Sequence, residues 1–335
     1  MRKIPATIIT GFLGAGKTSL LRHIVANAEG RRIALVINEF GELGIDRELL
    51  LGCGIESCRA DDVVELANGC ICCTVAEDFL PALEKLLDRP DPPEHILIET
   101  SGLALPKPLV QAFNWPEIKA RVTVDGVVAV IDASALAAGR FADTTPELVH
   151  DNPLDEVFGD QLACADLVVL NKTDLTDAAA LAVAEREIGL RLRPQAKHVK
   201  AAFGKVAPNL LLGLSAAAED DLASRPSQHD LEGAHDHDDF DSFVVGLGPI
   251  TNPAALAASL SGVIAAHDIL RIKGFLVVPG KAFRQVVQAV GPRIEHYFDR
   301  PWRDDEARAS RLVVIGRKGI DRVAIKAAIA AVMSA

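Results

Sequence analysis

The chain has 335 residues, 49% of them apolar, and a formal net charge of −11. That length predicts two domains. An acidic chain with no long Lys/Arg run is a poor ligand for nucleic acid or a membrane surface, and no stretch has the uncharged apolar length of a membrane span. Aromatics are few and glycines plentiful, so Ala, Leu, Val and Ile must supply the core, which favours an α/β fold.

An apolar strand is predicted from Ile4 to Thr10. It flows into Gly11-Phe12-Leu13-Gly14-Ala15-Gly16-Lys17-Thr18, which matches G-x-x-x-x-G-K-[ST]. A helix is predicted from Lys17 to Ala28. Strand, glycine-rich loop and helix in that order make a phosphate cradle: glycine N–H groups wrap the anion and the helix N-terminus faces it. Lys17 is expected to bridge the β- and γ-phosphates, and the Thr18 hydroxyl to ligate Mg²⁺. Ala15 and Ser19 are carried with the loop as nucleotide-contacting positions. A signal peptide is rejected for the opening run, because cleavage would destroy this loop, and a cytoplasmic protein is expected.

Strands follow at 32–38 and 95–100. Glu99-Thr100-Ser101-Gly102 ends the second of these. Glu99 is expected to hold Mg²⁺, directly or through water, and the Gly102 N–H to face the γ-phosphate. Glu39, just after the earlier strand, is a candidate for contact with Mg²⁺, a second metal or the attacking water.

Between those strands lies Asn68-Gly69-Cys70-Ile71-Cys72-Cys73. Three of the six cysteines fall within four residues, too close to staple a fold. Such thiolates favour Zn²⁺, Cu⁺ or tetrahedral Co²⁺ over Mg²⁺. Buried apolar cysteines and a redox dithiol are the rival readings. Cys53, Cys58 and Cys164 are isolated and read as structural.

A β-rich stretch covers 121–132 and another strand 165–171. After it comes Asn171-Lys172-Thr173-Asp174. The Asp174 carboxylate can accept from guanine N1–H and its 2-amino group, which adenine cannot match, so GTP is the expected nucleotide. The Lys172 stem is expected to lie over the base and Asn171 to tie the loop to the phosphate site.

Composition changes at residue 214. The expected organisation is a P-loop domain at 1–213, a parallel sheet with helices on both faces, then a His/Asp-rich linker at 214–241. A C-terminal α+β domain with a mostly antiparallel sheet completes it at 242–335. The linker tract with His229, His235 and His237 reads equally as a weak metal collector or as a solvated acidic segment.

Together these motifs resemble the CobW family of metal-handling GTPases. The resemblance continues through Arg271-Ile272-Lys273-Gly274-Phe275, Asp299-Arg300-Pro301-Trp302 and the strand Arg311 to Gly316. Residues 103–106, 113–116 and 160–166 point within it to the branch associated with aerobic cobalamin biosynthesis. The resemblance implies a GTP-dependent cobalt chaperone serving a partner such as a cobaltochelatase. It puts Co²⁺, or alternatively Zn²⁺, on Cys70, Cys72 and Cys73. Ile37 stands where some relatives carry a second acid, which weakens any extra metal site built on that acid. No arginine finger is identifiable, so slow intrinsic hydrolysis is expected. A small-molecule kinase with a zinc-stabilised lid and a passive zinc buffer are the competing function classes.

Overall fold

A computed structural model describes residues 3–38, 62–66, 79–139, 153–227, 240–267, 269–290, 293–303, 306–317 and 319–332. Glu39, Cys53, Cys58, Cys70, Cys72, Cys73, His229, His235 and His237 lie outside these residues. The chain divides into two compact units.

The first unit is a seven-stranded parallel sheet. Its strands are β1 (Ile4–Thr10), β2 (Ile33–Asn38), β3 (Val63–Leu66), β4 (His95–Glu99), β5 (Val122–Asp132), β6 (Leu167–Asn171) and β7 (Lys197–Lys200), in the order β3-β2-β4-β1-β5-β6-β7. The inner strands β4 and β6 are buried at every position. A continuous apolar run is what a parallel strand covered on both faces requires. Helices Lys17–Ala26, Leu80–Leu87, Pro106–Ala112, Pro153–Cys164 and Ala178–Arg191 alternate with the strands. Phe79, Leu83, Leu86, Leu109 and Phe113 pack against Ile8, Val36, Ile96 and Ile98 in the core.

From β1 the chain builds one side of the sheet with β2, β3 and β4, then crosses to the other side with β5, β6 and β7. The order therefore reverses beside β1. In open α/β sheets ligands bind outside the carboxyl ends of the strands at such a point, and there β1 delivers the glycine loop.

Residues 214–227, expected as the start of a linker, are instead fixed to this unit. The buried Asp125 carboxylate accepts the backbone N–H groups of Gly213, Leu214 and Ser215 at 2.6, 3.1 and 2.9 Å. Glu219, 2% exposed, accepts from the Thr123 hydroxyl at 2.6 Å and the Val124 N–H at 2.9 Å. Asp166 pairs with Arg193 and Arg225, each at 2.7 Å. Arg225 also donates to the Cys164 carbonyl.

The second unit is a five-stranded antiparallel sheet. Its strands are β8 (Phe240–Leu247), β9 (Ile269–Leu276), β10 (Phe283–Val290), β11 (Arg293–Pro301) and β12 (Ser310–Arg317), ordered β11-β10-β9-β12-β8. Helix Pro253–Ala266 starts at Asn252, whose side chain accepts the Ala255 N–H at 3.1 Å, with Pro at the first helical position. Leu256, Leu260 and Val263 of this helix share a core with Ile272, Val287, Leu312 and Val314, and with Ile325 and Ile329 of the closing helix Arg322–Val332. Gly274 is required where β9 meets β12, since a Cβ there would lie 2.0 Å from the Arg311 carbonyl oxygen. On β10, the Arg284 guanidinium lies 3.6 Å from the centre of the Phe275 ring and reaches Asp299 at 2.5 Å.

Candidate nucleotide site

The loop after β1 turns on backbone angles that side chains resist. Gly11, Gly14 and Gly16 have φ of 131°, 70° and 104°. Space is as limiting as angle. A Cβ on Gly11 would lie 2.1 Å from the Val130 carbonyl oxygen, and one on Gly16 would lie 2.3 Å from Asn171 Nδ2. The loop then opens the helix Lys17–Ala26 with Gly16 as its N-cap residue. Its first-turn N–H groups and helix dipole favour an anion there.

Lys17 is 5% exposed, and its ammonium donates to the carbonyls of Gly11 at 2.7 Å and Phe12 at 3.3 Å. The cation is thereby held within the turn of the loop. Thr18 Oγ1 donates to Glu99 Oε1 at 3.1 Å. Glu99 closes β4, the strand hydrogen-bonded to β1, and is itself 4% exposed. A hydroxyl and a buried carboxylate side by side form a hard-oxygen donor pair, which suits Mg²⁺ and not a soft ion. Gly102 packs against the loop, since a Cβ on it would lie 2.7 Å from the Leu13 backbone nitrogen. Gln161 fixes that turn by donating to the carbonyls of Gly102 and Ala104.

On the other side of β1, β6 ends at Asn171. Asn171 Nδ2 donates to the Ala15 carbonyl at 2.9 Å, and its Oδ1 accepts the Gly204 N–H at 3.0 Å. One amide thus ties the phosphate loop to the 201–204 loop. Lys172, with φ of 61°, donates to the Gly14 carbonyl at 2.5 Å and pairs with Asp132 at 3.1 Å. Asp174 follows on the short 3₁₀ turn Thr173–Leu175 and is exposed. Its carboxylate has no hydrogen bond or ion pair among the described residues.

Gly11, Gly14, Ala15, Gly16, Lys17, Thr18, Glu99, Gly102, Asn171 and Lys172 therefore converge at the carboxyl edge of the sheet. Ser19 follows on the helix, where its backbone approaches the Cβ position of Gly204 at 3.0 Å. Two contributors were not anticipated from sequence. Asp132 holds Lys172 and also caps the helix Ala133–Ala137 through the N–H groups of Ser134 and Ala135. The 201–204 loop accepts the Thr173 N–H and hydroxyl on the Ala201 carbonyl and presents Phe203, 68% exposed with φ of 56°. An Asp two residues before Ser134 and a Gly at 204 were the only signals in the sequence.

The sheet also positions the chain that leads into the cysteine motif. β3 runs parallel to β2 with Leu66 opposite Asn38, and β2 pairs β4 with Ile37 opposite Glu99. The end of β3 is two strands from Glu99, about 10 Å by the usual interstrand spacing. Cys70 follows four positions after Leu66 in the sequence.

Residues 5–200 match the CobW/HypB/UreG nucleotide-binding domain, and residues 240–333 match the cobalamin synthesis protein cobW C-terminal domain. The chain is 54% identical to a protein named zinc chaperone CobW from Sinorhizobium sp, covering 99% of this chain and 98% of the relative. It is also 54% identical to a protein of the same name from Pseudomonas aeruginosa, covering 97% and 90%. It is 31% identical to the zinc chaperone YjiA of Escherichia coli, covering 94% and 95%. The crystal structure of Zn(II)-bound YjiA GTPase aligns over 99% of both chains with a TM-score of 0.45 and 26% identity. With both of its units matched and relatives of this identity over nearly their full length, the chain belongs to the CobW family of P-loop proteins.

Proposed function

We propose that the protein is a GTP-hydrolysing metallochaperone whose cargo is Zn²⁺, held by Cys70, Cys72 and Cys73. The observation that carries this reading is the route of the chain into the cysteine motif. It leaves the sheet at Leu66, beside Asn38 and two strands from Glu99, the acid that contacts Thr18. A thiolate-bound ion held near that edge would feel the γ-phosphate. The names of the relatives favour zinc over the cobalt expected from the resemblance. With zinc as cargo, the recipient is a zinc-dependent protein in place of a cobaltochelatase.

The working roles follow from the geometry. The phosphate loop binds the polyphosphate, and Lys17 neutralises charge between the β- and γ-phosphates. Thr18 and Glu99 hold Mg²⁺, which supplies charge neutralisation when bound. Asp174 reads guanine, while Lys172 and Asn171 keep its loop docked on the phosphate loop. Metal and nucleotide bind with reciprocal coupling: if GTP tightens the thiolate site, the metal tightens GTP by the same factor.

The experiment measures Zn²⁺ and Co²⁺ affinity by competition with a chromophoric chelator, in Mg²⁺–GTP, Mg²⁺–GDP and no nucleotide. Tighter binding with GTP is expected, and its loss in Cys72→Ser/Cys73→Ser with GTP binding retained. Equal affinity in the three states would sink the gated mechanism. A GTP-dependent gain confined to Co²⁺ would restore cobalt as the cargo.

A further inference from the structure

At the other end of the parallel sheet, away from the phosphate loop, the beginnings of β1, β4 and β5 line a cleft of about 830 Å³. That volume lies within the range of small-molecule sites. Ile4 and Pro5 give it apolar wall, and Lys3 and Arg31 give it two cations.

The acids along the cleft are already committed. Asp125 accepts three backbone N–H groups of residues 213–215. Glu94 accepts the Arg32 backbone N–H at 3.0 Å and faces the Arg32 guanidinium. By contrast, neither the Lys3 nor the Arg31 side chain has a hydrogen bond or ion pair among the described residues. The cleft therefore holds two cations that no side chain pairs among the described residues, beside two carboxylates already held by other groups.

A third group is oriented for a ligand. His95 is 5% exposed, with Nε2 2.8 Å from Thr7 Oγ1. The Thr7 hydroxyl donates its one proton to Asp125 at 3.4 Å. In the tautomer that matches this bond, Nε2 carries the proton and donates to Thr7, and Nδ1 is an acceptor without a partner among the described residues. Burial, helped by the charge of Arg31 and opposed by that of Asp125, keeps this imidazole neutral down to about pH 4.

We propose that this cleft is a second small-molecule site, separate from the phosphate loop, that takes a small organic anion. Its phosphate or carboxylate head sits between Lys3 and Arg31, its apolar body lies on Ile4 and Pro5, and His95 accepts from a hydroxyl or amide of the ligand. A guanidinium beside an ammonium suits either kind of head, because Arg forks to both while Lys serves as a point charge.

Phenyl phosphate and phenylacetate, titrated calorimetrically into the full chain, separate the two head groups. Excess Mg²⁺–GDP is present so that the phosphate loop cannot bind the probe. Saturable one-to-one binding of at least one probe is expected. Arg31→Ala should weaken it about tenfold, the loss of one charge-assisted contact, and Lys3→Ala/Arg31→Ala should abolish it. Arg31 is exposed and Lys3 half-buried, and neither side chain has a bond to lose among the described residues, so both variants are expected to fold. The proposal is overturned if neither probe binds in the presence of Mg²⁺–GDP, or if the double variant binds as well as the parent.

Discussion

Thr18 Oγ1 and Glu99 Oε1 lie 3.1 Å apart although 81 positions separate them in the chain. The register of β1 against β4, with Ile9 opposite Glu99, makes this contact. Glu99→Gln keeps the shape and a hydrogen bond but removes the charge. GTP turnover should fall at least about a hundredfold, as for loss of a preorganised electrostatic group, with a rise in the Mg²⁺ concentration needed for half-maximal rate. Turnover assayed across a Mg²⁺ titration checks both.

Asp174 has no partner to lose among the described residues, so Asp174→Asn should leave stability within about 0.5 kcal/mol of the parent. Its cost should fall on nucleotide choice. Guanine preference by unpaired polar groups reaches about 10⁴, and competition between GTP and ATP for the variant should show most of it gone. Unchanged preference would move the guanine reader elsewhere, with the 201–204 loop as the nearest place to look.

Gly16→Ala tests the loop by space and angle together. The new Cβ would meet Asn171 Nδ2 at 2.3 Å on a residue with φ of 104°. Strain at such a position costs about 1–3 kcal/mol, and relief requires Asn171 to release Ala15 or Gly204. Nucleotide affinity should therefore drop more than thermal stability does. Calorimetric titration with GDP, set beside thermal unfolding, separates the two losses.

His95 sets an acid limit on the first unit. The unfolded chain takes up a proton near pH 6.5 that the folded imidazole refuses until about pH 4, chiefly because of burial. The folded value is depressed, so the unfolded state binds more protons within that window and stability falls as pH falls. The contribution is complete above pH 6.5, and up to about 3 kcal/mol of it is lost on reaching pH 4. His95→Gln, which can still donate to Thr7, should flatten the dependence of unfolding midpoint on pH between those limits.

The Asp166 network should be the most costly polar cluster to break. Asp166→Ala leaves Arg225, 1% exposed, without its carboxylate, and removes the nearer of the two carboxylates that pair with Arg193. Breaking one member of a buried pair costs about 3–5 kcal/mol. Denaturant unfolding should show that loss, with nucleotide affinity preserved in whatever fraction remains folded.

Contiguous motifs were legible from sequence because their chemistry is local. Gly11 to Thr18 and Asn171 to Asp174 carry their own turns, and buried strands such as β4 and β6 announce themselves by unbroken apolar runs. What sequence concealed depends on partners far away in the chain. Asp132 reads as an ordinary strand end until the register of β5 and β6 sets it opposite Asn171 and beside Lys172. Residues 214–227 have the small, acidic composition of a solvated linker, yet Asp125 and Asp166 supply acceptors that tie them to the first unit. β11 carries no clear apolar alternation because it is an edge strand: Glu295, His296, Tyr297 and Phe298 are all exposed.

The clamp on residues 213–219 decides where this protein can be divided. A chain ended at residue 213, where the change in composition suggests a seam, would strip Asp125 of the N–H groups of Leu214 and Ser215 and take Glu219 from beneath β5. A buried carboxylate would be stranded and the Val124 N–H orphaned, each at a desolvation cost of about 1–3 kcal/mol or more. A chain ended after Ser227 keeps every one of these contacts, together with the Ser227 hydroxyl that donates to Asp160 at 2.5 Å. The stretch that looks most dispensable is the hem of the first sheet, and separate expression of the nucleotide-binding half has to carry it along.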